Sequence, residues 1–113
     1  MDMSREPVVL CAANSYNQKY YLNEDFSGLP TAIKEELQIM CVLYTEDVGG
    51  VLELVFDEDG SLQFVTTCEE GDYFYDEIGS VLKIKQYQNL KRETLEAIEM
   101  YYRIVFLGQG FEE

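Results

Sequence analysis

The 113 residues contain no histidine, the side chain that most often acts as a general base and binds transition metals. This absence excludes the Ser/His/Asp and Cys/His catalytic triads. The sequence also lacks a glycine-rich phosphate-binding loop, an HExxH zinc motif and a GxSxG nucleophile motif. We therefore predict no catalytic and no cofactor-binding residues. Carboxylate-only chemistry, such as magnesium-assisted hydrolysis, stays open.

The three cysteines are odd in number and form no CxxC pair. Zinc ribbons, thioredoxin-type redox motifs and disulfide scaffolds are therefore unsupported, and we predict no bound metal. Cys11 and Cys41 lie in apolar runs, which is typical of small buried side chains with reduced thiols.

Basic residues are scarce: 8 Lys and Arg stand against 22 Asp and Glu, which gives a net charge of −14. This charge opposes contact with nucleic-acid backbones and anionic membranes, so we predict neither. It can instead attract a basic protein partner. The densest acidic cluster supplies the candidate partner-contact residues, although a solvated loop or a divalent cation site would also explain it. These residues are Glu69, Glu70, Asp72, Asp76 and Glu77.

Long apolar runs are also absent, since none approaches the roughly 18 residues that span a bilayer. The first residues do not form a basic and then apolar signal sequence. We therefore expect a cytoplasmic protein.

Hydrophobic periodicity predicts an α+β fold in the order ββαββα. Apolar and β-branched residues indicate strands at residues 8–13, 19–22, 51–57 and 62–66. Helical spacing follows Pro30, and a second, long helix is predicted over residues 80–107. We expect one four-stranded antiparallel sheet packed against two helices. Residues 1–113 would form a single domain, with residues 1–6 frayed.

Aromatic residues and the long helix indicate an interface. The consecutive aromatics of 73–75 and 101–102 cannot all face one way, and tyrosine is enriched at interfaces. A helix over 80–107 would be about 40 Å long, more than a small sheet needs to cover it. Its apolar stripe is also wide, so we predict a homodimer. The candidate dimer-contact residues are Tyr87, Leu90, Tyr101 and Ile104.

Three stretches, residues 37–50, 75–80 and 82–86, resemble those of a family of small uncharacterised proteins from Clostridia and related bacteria. The resemblance covers most of residues 8–108. It implies a bacterial cytosolic protein, but it brings no activity, cofactor or site residue.

The leading hypothesis is a non-enzymatic interaction or regulatory module, homodimeric, whose acidic face binds a basic protein. One alternative is a small-ligand-binding protein or carboxylate-dependent enzyme, which needs a concave pocket that gathers tyrosine and several acids. The other is a nucleic-acid mimic that blocks a DNA-binding protein, which needs a regular surface array of carboxylates.

Overall fold

The computed structural model describes residues 7–109, so the predicted frayed segment 1–6 lies outside the described residues. The chain forms two strands, a short 3-10 turn and a helix, then two more strands and two helices. In order these are β1 (Val8–Asn14), β2 (Lys19–Leu22), the turn Glu24–Phe26, α1 (Thr31–Val48), β3 (Val51–Phe56), β4 (Leu62–Thr67), α2 (Glu77–Leu90) and α3 (Arg92–Val105).

Within the described residues, the strands form one antiparallel sheet in the order β2-β1-β3-β4. The predicted α+β class and four-stranded antiparallel sheet are therefore confirmed. Alternation in β3 buries Leu52, Leu54 and Phe56 completely, while the residues between them are only half-buried on the other face. A register shift in β1 allows the neighbours Leu10 and Cys11 both to be buried, because a bulge adds one residue to a strand.

An aromatic stack joins the sheet to the C-terminal helix. The Phe56 ring on β3 lies 4.0 Å, centroid to centroid, from the Tyr102 ring on α3. Phe26, from the short 3-10 turn, stacks against Phe106 at 4.7 Å. Because offset stacking adds to the free energy of burying large rings, this cluster holds α3 on the core.

The prediction of one long C-terminal helix was wrong. The chain instead forms α2 and α3, which gives three α-helices in the part described, and the break falls at Lys91 (φ −107°, ψ 22°). Ion pairs from Lys83 to Asp47 (3.0 Å) and from Lys91 to Glu36 (3.5 Å) place α2 along α1. The chain then turns so that α3 can reach the aromatic stack. No glycine or proline marks this break, and the apolar spacing continues across it.

Candidate protein-docking surface

A group of large apolar side chains is exposed where the chain leaves β4 and enters α2. Tyr73 and Phe74 are 94% and 95% exposed, and Ile78 is 76% exposed. Val81 and Leu82 are also exposed, and both share a helix face with Ile78 because they follow it by three and four residues. Groups of exposed apolar side chains are a common feature of protein interaction sites, so these five are candidates for one. We call these five side chains the apolar patch.

The side chain of Tyr75 turns inward and anchors this segment. Its hydroxyl donates to Ser80 Oγ at 3.2 Å, and the hydroxyls of Tyr44 and Ser80 lie 2.6 Å apart. Burial raises the pKa of Tyr44 above its ordinary value, so its hydroxyl stays protonated. Tyr75 points into the protein, whereas Tyr73 and Phe74 before it are exposed.

Glycine makes room for this anchor. Gly50 has φ +70°, and a Cβ atom there would lie 2.7 Å from the Tyr75 ring. An alanine would therefore be strained by its backbone conformation and would also collide with the anchor.

A second attachment comes from the loop between β1 and β2. The Tyr16 hydroxyl donates to Asp72 Oδ2 at 2.5 Å and accepts a hydrogen bond from the Glu69 N–H at 2.9 Å. The hydrogen bond to Asp72 raises the pKa of Tyr16. Asp72 Oδ1 also accepts from the Phe74 N–H at 3.0 Å. These contacts hold the acidic loop in a defined path.

Helix α2 starts from a capping carboxylate. Asp76 Oδ1 accepts a hydrogen bond from the Gly79 N–H at 2.8 Å, and the Asp76 N–H donates to the Val48 carbonyl at 3.2 Å. The negative charge of Glu77 in the first turn also stabilises this helix end. The cap sets the orientation of α2 and therefore of Ile78.

The five predicted partner-contact residues lie between positions 69 and 77, before and among the first residues of the apolar patch. Glu69, Glu70, Asp76 and Glu77 are exposed, and Asp72 is half-buried. Within residues 7–109, the two ion pairs involve other acids, so no basic side chain neutralises these five. The same part of the chain contains no group of three acidic or thiol side chains arranged to hold a metal ion. We call the five acids and the apolar patch together the docking surface.

The predicted dimer-contact residues lie elsewhere. Leu90 is 69% exposed at the end of α2, whereas Tyr87, Tyr101 and Ile104 are half-buried. The Tyr101 ring packs at a tilt against Phe26 within the same chain. Part of the apolar surface that the sequence analysis assigned to a dimer interface is therefore buried within the same chain. The dimer itself stays a prediction.

Sequence reasoning identified the acids and the 73–75 aromatics but missed the contribution of α2. Ile78, Val81 and Leu82 have the spacing of an apolar stripe, which normally indicates a core-facing side. Here Ser80, Ile84 and Tyr87 face the protein instead. The sequence did contain a signal for this exposed face, because apolar residues occupy both sides of the helix and only one side can face the protein.

The chain belongs to a family of unknown function, DUF6145, which matches residues 7–110. This confirms the resemblance to a family of uncharacterised proteins, while the clostridial origin stays a prediction. No curated protein and no solved structure matches the chain. In the stretch from residue 7 to residue 109, no helix is long and apolar enough to cross a membrane.

Proposed function

We propose that this protein is a non-enzymatic interaction module that binds a basic protein partner through the docking surface. The observation that carries the proposal is the nearly complete exposure of Tyr73 and Phe74 on a segment anchored from beneath by Tyr75. Because the backbone that carries these aromatic side chains is anchored, binding orders less of the chain, and aromatic residues are enriched among those that dominate interface energetics.

The chemistry of the surface indicates the partner. Apolar side chains need an apolar counterpart, and the carboxylates near them, which form no ion pair within residues 7–109, need lysine or arginine. A basic amphipathic helix supplies both, with its apolar face on the patch and its cations at the rim. A second copy fits this surface poorly, because it would bring like charges together. The predicted homodimer would therefore use another face.

Site-specific cross-linking in the native host tests the proposal. A photoreactive phenylalanine analogue replaces Phe74 in one variant and Met100 in a matched control, since Met100 is also exposed but lies on α3. We expect a basic protein to be cross-linked from position 74 and not from position 100. A DNA-binding protein captured there would favour the nucleic-acid mimic. Cross-links to a second copy alone would contradict the proposal.

A synthetic peptide gives an independent measurement. The probe is a helix-forming peptide with leucine at i, i+3 and i+4 spacing and lysine on its remaining positions. We expect Phe74→Ser to weaken its binding about tenfold in fluorescence anisotropy, as for an aromatic hot spot. Met100→Ser should leave the affinity unchanged. Added salt should weaken binding, because part of the attraction is between charges near the surface. Equal affinity for both variants would refute the assigned surface.

A further inference from the structure

A cleft of about 740 Å³ lies between the β1–β2 hairpin and helix α1, on different residues from the docking surface. This volume is within the range of pockets that hold drug-sized ligands. Asn14, Gln18, Lys19 and Tyr20 line the hairpin wall, and Gln38 and Glu46 line the helix wall. The cleft contains one tyrosine and one acid, so it does not match a site built from several carboxylates.

Two unusual features belong to residues that line this cleft, and one of them lies at the cleft itself. Among residues 7–109, the Tyr20 hydroxyl is the one buried side-chain polar atom without a hydrogen-bond partner. Burial, and then the nearby thiol of Cys11, raise its pKa; because Cys11 is a core residue, this hydroxyl is directed into the core and not into the cleft. In the same part of the chain, Gln18 is the one residue other than glycine with positive φ, at +56°. A residue other than glycine in the left-handed conformation lowers stability, and such residues concentrate at functional sites, so Gln18 is the feature that marks the cleft.

The charges of the lining identify the ligand class. Lys19 and Glu46 lie on opposite walls, and the described residues form no ion pair between them. The lining is therefore neutral in a chain of net charge −14, whose field repels a phosphate or another anion. A zwitterion satisfies both charges without this repulsion. The side-chain amides of Gln18 and Gln38 can each donate and accept, as a peptide group requires. The Asn14 oxygen already accepts from the Tyr16 N–H at 2.8 Å, so Asn14 offers its amide N–H groups as donors.

We propose that the cleft binds a short peptide with both termini free. Glu46 would receive the ammonium end, Lys19 would receive the carboxylate end, and the side-chain amides would pair with the peptide bonds between. A cleft of this volume is larger than one amino acid needs and suits about three residues. The site goes beyond the proposed docking function and does not depend on it.

Amide proton–nitrogen correlation spectra of the full chain, titrated with triglycine, test the site. We expect saturable shifts confined to residues 14–20 and 38–46. Triglycine with an acetylated amino end and an amidated carboxyl end should bind about tenfold more weakly, because two exposed ion pairs are lost.

A charge variant assigns the ammonium end. Glu46→Gln should weaken binding of triglycine about threefold and leave binding of the acetylated peptide unchanged. Glu35→Gln, an exposed acid on the same helix outside the cleft, is the matched control and should change neither. All these side chains are exposed, so the variants should retain the fold, which the dispersion of the same spectra verifies.

Gln18→Gly separates a binding role from a structural one. Glycine relieves the positive φ, so the melting temperature should rise by about 4 °C. Loss of the side-chain amide should weaken triglycine binding at least about threefold. The proposal is overturned by the absence of saturable shifts at millimolar triglycine, by equal binding of the capped peptide, or by a Gln18→Gly variant that binds as well as the native chain.

Discussion

Replacing Gly50 by alanine should disturb both the fold and the docking surface. Gly50 lies where the chain turns from α1 into β3, with φ +70°. A Cβ atom there would be 2.6 Å from the Thr67 carbonyl oxygen and 2.7 Å from the Tyr75 ring. The first neighbour is backbone of a paired strand and cannot easily move. The Tyr75 side chain would therefore have to be displaced.

The expected loss of stability combines two effects. The left-handed conformation costs an alanine about 1–2 kcal/mol. Displacing Tyr75 also removes its hydrogen bond to Ser80, worth about 1 kcal/mol net, together with part of its packing. We expect the free energy of unfolding of Gly50→Ala to fall by about 3 kcal/mol in total.

Urea denaturation followed by circular dichroism measures this loss, and Gly71→Ala is the matched control. Gly71 has φ +82°, but a Cβ atom there would have nothing within 4 Å. Its substitution should therefore cost only the backbone contribution of about 1–2 kcal/mol. Equal losses for the two variants would refute a steric effect of Thr67 and Tyr75 on a Cβ atom at position 50. Faster hydrogen exchange over residues 69–76 in Gly50→Ala alone would support it.

Three further outcomes are expected. Backbone hydrogen bonds, first from the Ser61 N–H, hold the pKa of Asp57 below its ordinary value. The ionised Asp57 carboxylate therefore stabilises the fold above about pH 4, and this contribution is lost as the pH falls through the lowered pKa. Asp57→Asn should accordingly lower the melting temperature at neutral pH but not at strongly acid pH. A thiol reagent should label the exposed Cys68 rapidly and the two buried cysteines only on unfolding, and rapid labelling of more than one thiol would contradict their burial. Sedimentation equilibrium should give twice the chain mass, and Leu90→Glu should shift it toward monomer; a single chain mass at all concentrations would exclude the predicted dimer.

Local periodicity in the sequence determined the sheet and the first helix. Alternation in Val51–Phe56 separates Leu52 and Leu54 from Glu53, and this pattern can be read without knowing any partner strand. Composition determined the strong negative charge, and the order of the residues located the acidic cluster at 69–77. The quoted stretches were enough to identify a family of unknown function, which the family match confirms.

Tertiary contacts decided what local patterns could not. The break at Lys91 follows from two different packing partners, α1 for one helix and the aromatic stack for the other. Tyr73, Phe74 and Tyr75 have similar side chains, and only contacts with Ser80 and with the distant Gly50 select which of them turns inward. The cleft likewise joins residues 14–20 of a hairpin to residues 38–46 of a helix, which are separate in sequence. Sequence periodicity reports which residues avoid water, whereas the positions of surfaces and clefts depend on contacts between distant elements.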